Sequence, residues 1–337
     1  MIDALIQLAL FLIETLIIVT AILIILAGIA GLLTKGKELK ANKIKLKKLN
    51  DYYQEQQEEM QHMLLEKKAY KRFCKEQKKA NKLPKTKRLF VLSFNGDIRG
   101  NQVDELRDEV SAILAVAKPT DEVVVKLESP GGIVPSYGLG ASQLMRIKTR
   151  HIPLTVCVDK VAASGGYLMA CVANKLIAAP FAILGSIGVL AQIPNFHRFL
   201  DDKKIDFEQI TAGEYKRTVS VFGKNTSEGR KKLKEDLEGI HQQFKDFVQE
   251  NRPQLDINQI ATGEHWLAHK AFELRMVDAL KTSDDYILEQ LDKANVFEVK
   301  YCRKKRFGMK VAENVQLTVN KLLFSWWQRH HESQHLL

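Results

Sequence analysis

The sequence predicts an α/β protein built on a mostly parallel sheet, carried behind an N-terminal membrane anchor and a charged helical stalk. Three observations lead there. From Arg88 onward, short β-branched runs alternate with segments whose apolar residues recur at helical spacing, the pattern of strands joined by crossover helices. Two loops with paired glycines, Glu128-Ser129-Pro130-Gly131-Gly132-Ile133 and Val161-Ala162-Ala163-Ser164-Gly165-Gly166-Tyr167, follow strand-like runs directly, where open α/β sheets collect their sites. Thr15 to Leu33 carries no charge at all.

That uncharged run is long enough at helical rise to cross a hydrocarbon core of about 30 Å. The apolar character reaches back to Ala4, broken only by Gln7 and Glu14, and no cationic start precedes it, so a retained anchor over residues 1–34 is expected rather than a cleaved signal peptide. Lys35, Lys37, Lys40, Lys43, Lys45, Lys47 and Lys48 follow at once, which by the positive-inside rule places the body in the cytoplasm. Residues 35–87 are rich in Lys, Glu and Gln. Their apolar positions hold no clean heptad, so a solvated helix or helical hairpin is expected, closed by the linker Lys82 to Lys87. The net charge of +11 raises nucleic acid as a partner. The lysines alternate with glutamates beside a membrane span, however, and the lipid bilayer is the partner they fit.

The body, residues 88–300, reads in order as strand Leu89 to Phe94, helix Gln102 to Ala117, strand Glu122 to Leu127, helix Ser136 to Lys148 and strand Ile152 to Val158. Ser164 then falls where the chain turns from a strand run into a helix. Free N–H groups and the helix dipole there can hold a developing negative charge, and glycines allow a substrate backbone to approach. An ordinary serine N-cap is the commoner use of such a residue, and both readings stand on the motif alone. The loop at Gly131 and Gly132 is likewise either a plain turn or a second N–H donor to an oxyanion hole.

A nucleophilic serine needs a base. No histidine lies in a loop with an evident carboxylate partner, and His265, within Gly263-Glu264-His265-Trp266, reads as a loop or capping residue. A lysine that burial leaves neutral can do the same work. Lys216, in Thr211-Ala212-Gly213-Glu214-Tyr215-Lys216 after the strand-like Phe207 to Ile210, is one candidate among many basic residues.

Taken in order, Ser-Pro-Gly-Gly at 129–132, Val-Ala-Ala-Ser-Gly-Gly-Tyr at 161–167, Gly-Ser-Ile-Gly-Val at 185–189 and Gly-Glu-Tyr-Lys-Arg at 213–217 resemble the signal peptide peptidase A family of membrane serine proteases. The anchor, the lysine-rich stretch and a Trp-Trp tail resemble its SohB branch. The resemblance implies a Clp/crotonase-like fold and a Ser/Lys dyad, with Ser164 as nucleophile and Lys216 as general base. It also implies an oxyanion hole from the N–H groups of Gly131 and Gly165, with Gly132 as the alternative donor, and Ser186 as the residue that orients the lysine. It further implies peptide or membrane-protein substrates, no metal or cofactor, a homo-oligomer, and a bacterial inner membrane location. Relatives act from the periplasmic side, against the charge rule, and the side stays open.

The uncharged stretch Leu176 to Ile193 contains Pro180, Gly185 and Gly188 and is expected to be buried strand and turn rather than a second span. Thr226 to Glu250 reads as an amphipathic helix with a Thr/Ser cap, and residues 301–337 as a basic amphipathic tail ending near Trp326 and Trp327. The four cysteines form no disulfide framework. Two other functions compete: an acyl-CoA enzyme that uses the same oxyanion hole, and a non-enzymatic membrane scaffold.

Overall fold

Alternation along the strands builds two cores on one sheet. In β2 (Lys87–Asn95), Phe90, Leu92 and Phe94 enter one core, and Leu89 and Val91 enter the other. β3 (Glu122–Glu128) and β4 (Leu154–Val158) repeat the division. Val123, Val125, Leu127, Leu154, Val156 and Val158 face the first core, and Val124 and Cys157 the second. Successive residues of a strand point to opposite faces, and burial of both faces explains why these strands read as continuous apolar runs.

The computed structural model describes residues 15, 18–20, 43–80 and 85–302. Thr15 and residues 18–20 are helical; the rest of the expected anchor, residues 81–84 of the linker and the tail beyond Cys302 lie outside the described residues. Among the described residues no helix is long and apolar enough to cross a membrane. Residues 44–301 form one compact unit. Its large sheet has seven strands in the order β1-β10-β2-β3-β4-β6-β9, adding β1 (Lys43–Lys48), β6 (Lys175–Ala178), β9 (Ala279–Leu280) and β10 (Ala294–Cys302). From β10 across to β9 every neighbouring pair is parallel. A second sheet joins β5 (Val161–Ala163) and β7 (Ile183–Gly185) in parallel, with β8 (His265–Leu267) antiparallel to β7.

Among the described residues, the expected stalk differs from the sequence reading at Lys43–Lys48. Lys43–Lys48 is a strand, because Lys-Ile-Lys-Leu-Lys-Lys alternates with period two, and its lysines suit an exposed sheet edge. Helices α1 (Leu49–Leu64) and α2 (Lys67–Ala80) then form the hairpin. Its base is built into the body: Leu49 and Tyr53 join the second core. Asn50 donates through Nδ2 to the carbonyls of Leu291 and Ala294, and its Oδ1 accepts the N–H of Val296.

Helices α3 (Val103–Leu114), α4 (Val134–Thr149) and α5 (Gly165–Ala170) cover the first core. Expected buried strand and turn at Leu176 to Ile193 is present up to Gly185 as β6 and β7 with a turn between them, whereas Leu190 to Ile193 is exposed and outside any strand. On the second face, the helix Ser283–Leu291 is pinned by Glu122. Its Oε1 accepts the hydroxyls of Tyr286 at 2.5 Å and Thr155 at 2.8 Å, and its Oε2 pairs with Lys87 Nζ at 2.7 Å. Every oxygen of this buried carboxylate is thereby matched.

Glu109, on the buried side of α3, is less well matched. Its Oε1 accepts the N–H of Tyr301 at 2.7 Å. Burial pushes its pKa up to about 7, against the pull of that hydrogen bond. A carboxyl raised on folding binds its proton more tightly in the native state, so its favourable contribution is full below the ordinary carboxylate range and is lost as pH rises through about 7. Glu109→Gln is therefore expected to gain on the wild type by roughly 2–4 kcal/mol between about pH 5 and about pH 8. Denaturant midpoints at both pH values would measure it, and a difference independent of pH would refute the assignment.

Candidate active site

Three chain segments lie side by side at the ends of the two sheets. Ser129 bridges in parallel to Ala162, and Ala163 pairs with Gly185, so the loop 129–132, the turn at Ser164 and the turn at Ser186 run at one level. The N–H of Ser164 donates to the carbonyl of Gly185 at 2.8 Å, and the N–H of Ser186 to that of Glu264 at 2.6 Å.

Ser164 sits at the N-cap position of α5 with φ 51° and ψ −120°, a strained conformation for a residue with a Cβ, and its side chain makes no capping hydrogen bond. An N-cap role does not account for it. The turn leaves the hydroxyl unused at the first turn of a helix, and Gly165, as the first helical residue, has an N–H without an intrahelical acceptor. Ser186 shares the strain, with φ 51°.

The neighbouring loop is tuned from below. The N–H of Gly131 donates to Ser129 Oγ at 3.0 Å, Ser129 Oγ and Tyr137 Oη are 2.5 Å apart, and Tyr137 Oη donates to the carbonyl of Asp97 at 2.8 Å. Because the tyrosine proton is committed to Asp97, Ser129 donates to Tyr137, and the relay has one proton for every link. Gly131, at φ 92°, is pressed against this arrangement; a Cβ there would come within 2.8 Å of the Gly165 nitrogen and of Ser164 Cβ. The Gly131 N–H is thus engaged within the protein, while Gly132 borders the same cavity as Ser164 and Gly165.

That cavity has a volume of about 280 Å³ and is walled mainly by apolar groups, among them Val134, Leu168, Val189, Phe244 and Phe247. Phe244 and Phe247 come from α7 (Ser227–Asn251), whose Thr226 cap accepts the N–H of Gly229 as expected. Nothing in the spacing of this amphipathic helix marks it as lining the site. Its apolar stripe reads equally well as plain core packing. Ser129 and Tyr137 also went unassigned; the one clue was the serine of Ser-Pro-Gly-Gly, which a turn explains as well.

Lys216 lies elsewhere in the single chain. It is exposed on the arm between β7 and α7, where it borders a separate hollow with Ile193, Phe207, Ile210 and Phe222. The strand expected at Phe207 to Ile210 is absent, because no neighbouring strand offers it a ladder and its residues are exposed. Helix α6 (His197–Asp202) is the arm's sole helix. Otherwise the arm is held largely by its own contacts, Phe222 packing on Phe196 and Phe207 at 6.1 and 5.7 Å and Asn195 Nδ2 donating to the carbonyls of Ser220 and Gly223, with Lys232 of α7 over the Tyr215 ring at 5.4 Å. Leu190, Phe199, Ile210 and Tyr215 stand in solvent. His265 is exposed in β8 opposite Gly185.

Residues 3–144 match the model for the N-terminal region of peptidase family S49, and residues 146–297 match the model for peptidase family S49 itself. A Haemophilus influenzae protein named "Probable protease SohB" is 46% identical over 321 residues, which cover 88% of this chain and 91% of that one. A protein of the same name from Buchnera aphidicola subsp. Acyrthosiphon pisum is 49% identical over 242 residues, 71% of this chain and 72% of its own.

Proposed function

Because the chain belongs to peptidase family S49, we propose that it is a membrane-anchored serine endopeptidase on a Clp/crotonase-like fold, with Ser164 as nucleophile and Lys216 as general base. The observation that carries this reading is the strained, uncapped Ser164 at a helix start, opening with Gly132 and Gly165 on an apolar cavity. Apolar walls fit apolar peptide segments as substrates, signal-peptide remnants among them. The uncharged run Thr15 to Leu33 supplies a single inner-membrane span in this reading.

Lys216 Nζ takes the proton of Ser164 Oγ as that oxygen bonds to the scissile carbonyl carbon. The oxyanion that forms is met by the N–H groups of Gly165 and Gly132, and Gly131 serves by holding the loop through Ser129. Lys216 then hands its proton to the departing amine as the C–N bond breaks. Water hydrolyses the acyl-enzyme by the same proton route in reverse. Ser186, on the adjacent turn one residue past the Ala163–Gly185 pair, orients the lysine.

The exposed apolar arm suggests how Lys216 reaches the serine. An arm with Leu190, Phe199, Ile210 and Tyr215 in solvent fits burial against a second copy, which brings the lysine into a neighbouring cavity and closes it to water. The test is labelling of the detergent-solubilised full chain with a fluorophosphonate probe, using wild type, Ser164→Ala and Lys216→Ala. Labelling is expected to rise from neutral to alkaline pH and to vanish in both variants. An equimolar mixture of the two inactive variants is expected to regain part of it. Labelling that survives Lys216→Ala would reject the lysine as base.

A further inference from the structure

We propose that the tip of the helical hairpin α1–α2 docks on the surface of a bilayer containing anionic phospholipid. This contact is additional to the anchor of the proposed function and stands without it. Only Leu49 of α1 is buried, at the hairpin's base. At the other end of α1, on the order of 20 Å away at helical rise, Met60, Met63 and Leu64 are 60%, 74% and 72% exposed. Three large aliphatic side chains within about one turn, at the far end of an otherwise polar helix, have no partner within the hairpin that would explain them.

The first part of the returning helix, between Glu66 at the tip and Glu76 further along, adds positive charge. Lys67, Lys68, Lys71, Arg72 and Lys75 are all exposed, no acidic residue occurs between Lys67 and Lys75, and among the described residues none of the five forms an ion pair. The inward side of α2 is used for pairing with α1: the rings of Tyr70 and His62 meet edge to face at 5.0 Å, and Gln77 Nε2 donates to Gln57 Oε1 at 2.7 Å. The cations are therefore free to face a ligand. Aliphatic residues flanked by unpaired lysines match the boundary between acyl chains and phosphate headgroups, where the apolar groups sink below the lysines. A nucleic acid would also attract the charge, but it would be met by aromatic stacking surfaces rather than by two methionines and a leucine.

The test uses the full chain in nanodiscs of phosphatidylcholine alone or of phosphatidylcholine with phosphatidylglycerol, with amide hydrogen exchange read over residues 60–72. Exchange there is expected to slow severalfold in the anionic discs only. The double variants Met63→Ser with Leu64→Ser, and Lys67→Glu with Lys68→Glu, are expected to abolish that difference while leaving fluorophosphonate labelling unchanged. Equal exchange in both discs would overturn the proposal. So would protection that follows protein concentration instead of lipid charge, which would assign the tip to a second copy, or protection that nuclease treatment removes. A chain that fails to enter either disc would count against the anchor. The tip would then be judged by flotation with vesicles of the two compositions, where capture on the anionic vesicles weakened on the order of tenfold by the lysine variant supports it and no capture rejects it.

Discussion

Replacing Gly132 with alanine is expected to lower peptide hydrolysis by about 10²- to 10³-fold, the usual loss when one oxyanion donor is displaced. A Cβ at this position would lie 2.1 Å from the carbonyl oxygen of Ile98. That obstacle is backbone, and it is itself fixed by accepting the N–H of Ile133 at 2.9 Å. The loop must therefore move, taking the Gly132 N–H with it. The φ of Gly132 lies outside the left-handed region, so the effect is one of space alone and the variant has a permitted backbone. The cavity walls at Leu168, Phe244 and Phe247 come from other elements, so KM is expected to change less than kcat. The overlap itself is expected to cost about 1–3 kcal/mol of stability, within reach of a denaturant midpoint. A folded variant with undiminished turnover would remove this loop from the oxyanion hole.

The same loop shows how far a sequence can be read. The strands at Leu89, Glu122 and Leu154 were legible because both their faces are buried, which forces β-branched and leucine-rich runs that few other structures require. Helices α3, α4 and α7 were legible from their spacing. What failed was placement that depends on partners distant in sequence. Phe207 to Ile210 has strand composition, but a strand exists only where a ladder is available, and none reaches the arm. Lys43–Lys48 has stalk composition, yet it has β10 beside it. At the site, Ser164, Gly131, Gly132 and Gly165 were legible because their two loops carry paired glycines after strand runs, whereas Ser186, one turn away, was reached only through the family resemblance. The relay from Gly131 through Ser129 and Tyr137 to Asp97 joins residues 40 positions apart, and a buried tyrosine hydroxyl leaves no trace in spacing. Lys216 is the reverse case: its motif was legible, but within one chain it stands on the exposed arm away from the serine.

Removing Asp278 is expected to be the most damaging change outside the site, costing about 1–3 kcal/mol, since Arg252 is buried while the carboxylate is partly open to water. Arg252, only 3% exposed, is held by both oxygens of this carboxylate, Nη2 to Oδ1 at 2.7 Å and Nη1 to Oδ2 at 2.9 Å. Asp278 Oδ2 also accepts the N–H of Leu176 at 2.6 Å, tying the start of β6 to the same point. Asp278→Ala leaves the buried Arg252 guanidinium without its counter-charge, and the loss is moderated because water reaches the Asp278 side of the pair and can take the carboxylate's place. Asp278→Asn keeps one acceptor for the fork and is expected to recover part of the loss. Arg252 directly follows α7, and its N–H closes the last turn on the carbonyl of Val248 at 2.8 Å. Loosening it therefore loosens the helix whose Phe244 and Phe247 wall the cavity beside Ser164, so activity in Asp278→Ala is expected to fail at lower temperature than the fold. Denaturant midpoints of the two variants, alongside the temperature dependence of turnover, separate these effects. Equal midpoints for wild type and Asp278→Ala would show that the pair contributes nothing to holding α7 in place.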